Sequence, residues 1–219
     1  MLDLNFRIEG AEVAPQAAVP LLNFRLRIDA AEACRAVPLQ SVLLRVQLRI
    51  EPTRRSYADT SSTGLHDLFG QPAGWGASMR SLLWTHVNLQ VPAFTGNTIA
   101  VLPVECTYDF NLAATKYFAA LSDGDLPLCL LFGGTSFYQT DHGLQAAQIS
   151  WEREANFRLP ASTWHEMMAR YYPNRAWLCI DKVAFDRLNG FKSRNSLTSW
   201  EQALEKLLSA SENELAVEA

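Results

Sequence analysis

A chain of 219 residues fits one large domain or two small ones, and its net charge of -4 gives no general pull toward nucleic acid or an anionic membrane. Apolar residues make up 48% and aromatic residues 11%, enough for a real core and too much for a disordered chain. No run reaches the roughly 18 apolar residues that span a bilayer. The start, MLDLNFRIEG, lacks the basic and then apolar segments of a signal peptide, so a soluble, cytoplasmic protein is expected.

The first fifty residues alternate with period two. Leu4, Phe6 and Ile8 oppose Asn5, Arg7 and Glu9; Leu22, Phe24, Leu26 and Ile28 oppose Asn23, Arg25, Arg27 and Asp29; Leu44, Val46, Leu48 and Ile50 oppose Arg45, Gln47 and Arg49. That pattern predicts antiparallel strands with one buried face. Pro15, Pro20 and Pro38 mark the strand boundaries.

Residues 52–80 break the alternation with a stretch rich in Gly, Ser and Pro. It reads as an ordered, partly helical excursion, with a short helix at 63–69 and a turn at 75–80. Strands resume at Leu82–Val91, 98–105 and 126–138, and LPLCLLF, apolar on both faces, predicts a central covered strand. Residues 109–121 are open between strand and helix. The period becomes helical after Trp151. Ser162 is a candidate cap for a helix with Trp164, Met167, Met168 and Tyr171 on one stripe. After an extended AWLCI, Asp181 can cap a helix carrying Phe185, Leu188 and Phe191. Thr198 or Ser199 can cap a last one that turns Leu204, Leu207 and Leu208 inward.

The expected architecture is therefore mainly β: an antiparallel β-sandwich over 1–157 with the 52–80 excursion, a helical C-terminal cap of the same unit over 158–211, and a frayed tail over 212–219.

Catalytic motifs are absent. His66, His86, His142 and His165 have no metal-ligand spacing, and His165-Glu166 lacks the second histidine that a zinc helix needs, Ala169 standing in its place. Cys34, Cys106, Cys129 and Cys179 are isolated and read as buried reduced thiols. FGGTS at 132–136 lacks the lysine of a phosphate loop, so its glycines read as a bulge or a close backbone approach. Asp123/Asp125 and Glu152/Glu154 are pairs within single segments, not acids facing across a cleft. No catalytic residue, metal or cofactor is expected.

Two surfaces remain as binding candidates. Arg7, Arg25, Arg27, Arg45 and Arg49 project from the polar side of the first strands, followed by Arg54 and Arg55. The leading reading is a solvated sheet face balanced by Glu9, Asp29 and Glu51; the rival is one positive patch for an acidic protein partner, which forms only if the strands are neighbours. Of six tryptophans, most are expected at the seam between sandwich and helices, with Trp75 and Trp84 as candidate recognition anchors.

The strings RIEPTRRSY, LHDLFGQPAGWG, LLWTHVNLQVPAFTG, CTYDFNLAATKYFAALSDGDLPLCLLFGGTSFY, ISWEREANFRLP and WHEMMARYYPNRAWL resemble an uncharacterised bacterial domain family over nearly the whole chain. That family is associated with gene clusters of high-affinity, actinobacterial-type NiFe hydrogenases. The resemblance implies an accessory, assembly or partner protein of a metalloenzyme, with hydrogenase subunits or maturation proteins as its partners. It carries over no catalytic residue. The leading expectation is a non-catalytic interaction protein. The rival is a binding protein for a small ligand between the sheets or under the excursion, and an enzyme with residues from distant elements is the third class.

Overall fold

The computed structural model describes residues 2–57, 59–106, 112–175 and 180–218, with backbone alone for 59–63, 112 and 214–218. It divides into two units, Met1–Arg175 and Ala176–Ala219.

Alternation sets the frame of the first unit. β1 (Leu4–Val13), β2 (Leu21–Ala30) and β3 (Pro38–Ile50) bury every second side chain over most of their length, because successive residues of a strand face opposite ways. β4 (Leu82–Val91), the short β5 (Phe94–Thr95), β6 (Asn97–Glu105), β7 (Asp125–Thr140), β8 (Gly143–Ile149) and β9 (Glu154–Pro160) complete two antiparallel sheets. The smaller sheet has the order β1-β2-β6. The larger runs β4-β3-β7, with β8 and β9 paired in turn along the far edge of β7 and β5 paired to one end of β3. The sheets meet through their apolar faces: Phe6 stacks on Phe132 with ring centres 4.4 Å apart, and Phe24 lies edge-on to Trp84 at 6.2 Å and Phe157 at 5.9 Å. This is the β-sandwich with C-terminal helices that the pattern predicts.

The excursion is packed, not draped. After a single 3-10 turn at Pro52–Arg54 come α1 (Asp59–Phe69), a second turn at Pro72–Gly74 and α2 (Trp75–Ser78). Residues 112–119 settle as a helix, α3 (Leu112–Ala119), while 107–111 lie outside the described residues. α1 lies close against the end of α3, since a Cβ on Gly64 would stand 2.8 Å from that of Ala120, the residue that follows α3. α4 (Ala161–Tyr171) buries Trp164, Met167 and Met168 on the predicted stripe. Phe118 joins these parts, meeting Trp84 at 4.9 Å and Trp164 at 5.6 Å. The helices thus seal one end of the sandwich with aromatic side chains.

Two local expectations need correction, and one strand leaves no mark in the sequence pattern. The helical period does not begin at Trp151: β9 intervenes, with Ala155 and Leu159 buried in alternation. It runs straight into α4, so Pro160, not Ser162, precedes the helix and no side chain caps it. β8 lies in a stretch whose small and amide residues show no alternation.

The second unit holds α5 (Lys182–Arg194) and α6 (Trp200–Glu218). Asp181 caps α5 as expected, its carboxylate accepting from the backbone N–H of Val183 at 2.8 Å. Ser199 accepts from the N–H of Gln202 at 3.2 Å at the start of α6. The helix continues through 212 to Glu218, and Leu204, Leu207 and Leu208 are exposed, not turned inward. Of the extended AWLCI, 176–179 lie outside the described residues.

Candidate functional site

The outward faces are where the sequence places its binding candidates, and topology separates them. Arg7, Arg25 and Arg27 stand on the smaller sheet, Arg7 directly opposite Arg27. Arg45 and Arg49 stand on β3 of the larger sheet. With the apolar faces packed together, these groups point to opposite sides of the sandwich, and the single arginine patch does not form.

Most of the arginines also have local work. Arg27 pairs with Asp29 at 3.1 Å and Glu9 at 3.7 Å, and Arg7 with Glu9 at 3.4 Å. Arg49 donates to Ser81 at 2.9 Å, and Ser81 donates to Glu51. Arg54 bonds Asn156. Arg55 donates to the carbonyls of Asp123 and Asp125 and lies 5.3 Å from the centre of the Tyr57 ring. It clamps the turn that holds the Asp123/Asp125 pair. Arg25 lies across Gly10. Only Arg25 and Arg45 of the seven have no hydrogen-bonded or ionic side-chain partner among the described residues.

The tryptophans sort the same way. Trp84, only 5% exposed, is in the core and offers no surface for a partner. Trp75 is half-buried, donating its indole N–H to the Gly70 carbonyl at 2.9 Å and lying edge-on to Tyr57. Trp151 is not among those at the seam: it is 83% exposed at the turn between β8 and β9.

A trough of about 940 Å³ crosses the outer face of the larger sheet. Its floor is backbone: Gly133 and Gly134 of β7 face Arg45 and Leu44 of β3. The two glycines do different jobs. A Cβ at Gly133 would meet nothing within 4 Å, so the missing side chain leaves the trough open. At Gly134, with φ at +135°, a Cβ would fall 1.9 Å from the Leu43 carbonyl oxygen. This is the close backbone approach that the glycine pair predicts. Around the floor stand Leu43, Asn88, Gln90, Thr135, Gln148 and Ile149, with Arg45 the one charged group of the lining.

Sequence reasoning missed the trough, though a signal for it was there. The doublet Leu43-Leu44 breaks the alternation of β3 and forces one leucine outward; Leu43 is 46% exposed.

Groups suited to proton transfer or nucleophilic attack are not assembled around it. His165 Nε2 lies 2.7 Å from the Leu121 carbonyl oxygen, while His66, His86 and His142 are exposed on separate elements. Among the described residues no three His, Cys, Asp or Glu side chains cluster for a metal. Cys34, Cys106 and Cys129 are buried, and Cys179 lies outside the described residues. Burial pushes the Cys106 thiol far above its ordinary range. Burial, with Glu154 and Glu51 nearby, also raises Cys129 above the usual 9.0. Both thiols stay protonated near neutrality, and their shifts cost the fold stability only as pH climbs past that ordinary value. Iodoacetamide at pH 8 is therefore expected to label Cys106 and Cys129 at least tenfold more slowly in the native chain than in urea, by peptide mass spectrometry. Equal rates would contradict the burial.

The space between the sheets and under the excursion is occupied. Phe24, Phe132, Leu26 and Leu48 fill the first; Leu65, Phe69 and Tyr117 fill the second, where Tyr117 shares a 2.8 Å hydrogen bond with Tyr57.

A family model described as "Family of unknown function (DUF6084)" matches residues 1–216. No curated protein matches the chain. Among solved structures, a selenomethionine-labelled β-glucosidase from Kluyveromyces marxianus is similar at 7% identity and a TM-score of 0.25, over 72% of this chain. The chain spans 15% of the length of that enzyme, and neither fold nor activity transfers at that level.

Proposed function

We propose that this chain, which belongs to the DUF6084 family of unknown function, is a non-catalytic interaction protein that receives a carboxylate-bearing segment of a partner protein in the trough. The observation that carries the reading is the lining: one exposed arginine, Arg45, with no acid beside it. A guanidinium fork takes a carboxylate in two parallel hydrogen bonds. Asn88, Gln90 and Gln148 supply neutral donors and acceptors around it, and Leu43 and Ile149 supply apolar contact. The lining holds no histidine, cysteine or carboxylate, which suits recognition and not acid–base chemistry.

The resemblance to a domain family associated with NiFe hydrogenase gene clusters makes hydrogenase subunits and maturation proteins the first partners to test, in a cytoplasmic setting. The proposed role is accessory or in assembly. Affinity capture from the native host, comparing the chain with R45E and R25E, tests the site. R45E is expected to recover at least about tenfold less of the partner, because the buried end of a charged pair is lost and replaced by repulsion. R25E, on the opposite face, is expected to recover it in full, and both variants to melt within about 0.5 kcal/mol of the native chain. Full recovery by R45E, or equal loss by R25E, would remove the trough as the docking site.

A further inference from the structure

The edges of the two sheets are not equivalent. β1 runs beside β9, β4 beside β6, and α4 lies against both β1 and β9. β8 is different. One side of it pairs β7 in unbroken register; along the other side its backbone groups have no backbone partner among the described residues. β1 does not close the gap, since a hollow of about 290 Å³ separates its start from the end of β8.

An open edge is a template for another strand, and proteins usually blunt one with charge, lysine, proline or a bulge. Residues 143–150, GLQAAQIS, contain no charge and no proline, and the β7–β8 register has no bulge. At its two ends stand Leu144, 61% exposed, and Trp151. By contrast β1 carries Arg7, Glu9 and Glu12, and β9 carries Glu154 and Arg158.

We propose that β8 is a homodimerisation edge, pairing antiparallel with β8 of a second copy of this chain so that the two larger sheets join across a twofold axis. A second copy is the occupant this strand suits. In an antiparallel pair, opposed residues share a face, so under twofold symmetry one residue must lie on the axis and meet itself. The two central registers place Ala146 or Ala147 there. In the first, Leu144 opposes Gln148 and Gln145 opposes Ala147. In the second, Gln145 opposes Ile149 and Ala146 opposes Gln148. Either way only a methyl group occupies the axis and no like charges are opposed, the two features that most often forbid a strand from pairing with itself. Both registers also bring Trp151 toward the turn that precedes the second copy's β8. The edge is short, seven residues, so the dimer is expected to be weak and to dissociate at about micromolar protein.

Sedimentation equilibrium of the full chain over a wide concentration range tests this. The native chain is expected to approach twice its 24.5 kDa mass at high concentration. Ala146 is exposed, so A146K is expected to fold normally while raising the dimer dissociation constant about fivefold or more, because its lysines face each other directly or diagonally. A146E is expected to do the same, and an equimolar mixture of the two to regain the dimer. R45E, outside the edge, is expected to dimerise as the native chain does, which separates this inference from the trough reading. A native chain that stays at monomer mass, an A146K dimer of unchanged strength, or a mixture that fails to recover would each overturn the proposal.

Discussion

Replacing Gly134 by alanine is expected to lower stability by about 3–6 kcal/mol or to abolish folding, while the same change at Gly133 is expected to cost under about 1 kcal/mol. The two glycines are neighbours in one strand, so composition and propensity predict similar effects. Geometry separates them. The Gly134 Cβ would fall 1.9 Å from the Leu43 carbonyl oxygen, well inside the contact distance, and the backbone there has φ at +135°, where side chains are strained. The atom it meets is backbone of β3, a strand paired on both sides, so relief requires moving the middle of the larger sheet. At Gly133 the added carbon enters the open trough. Urea unfolding of the two variants checks this, and a G134A midpoint within experimental error of the native one would sink it. The pair also links fold to function. Gly133→Leu is expected to fill the trough and remove partner recovery with little loss of stability, a separation that Gly134 does not permit.

What the chain declares of its own fold follows from which interactions are local. Alternation in β1, β2 and β3 is a property of each strand, so their buried faces are legible residue by residue. The sheet to which each strand belongs is not local. Between Ala30 and Pro38 the chain crosses from one sheet to the other, and that short crossing moves Arg45 and Arg49 to the face opposite Arg25 and Arg27. Parity tells inside from outside; it does not tell one outside from the other. β8 was illegible for a different reason. As an edge strand open to solvent on much of both faces, it needs no buried row, and LQAAQI shows none. β9 was hidden by its neighbour, since it runs directly into α4 and shares its apolar residues with the start of a helical period. The trough combines both problems: Leu43 and the glycine pair are local signals, while their meeting with Asn88, Gln90 and Gln148 depends on strand order.

The helical stripe of α4 was legible, and its contribution is expected to be large. Trp164→Ala should destabilise the chain by about 3–5 kcal/mol, a large part of the 5–15 kcal/mol that holds most domains together. The indole is buried against Phe118, which in turn meets Trp84 of β4, so its removal leaves a cavity in the seam between helices and sandwich. The surrounding rings are rigid and pinned from several elements, and they cannot collapse into the space as a loop would. Leu208→Ala, at an equally apolar position of a predicted stripe, provides the contrast. That side chain is 60% exposed in α6, so its loss should change stability by no more than about 0.5 kcal/mol. Both leave a residue of good helix propensity in place, so the difference between them measures burial and not helix formation. Chemical denaturation of the two full-length variants decides the matter. Equal midpoints would mean that the seam around Phe118 does not hold α4 to the sandwich.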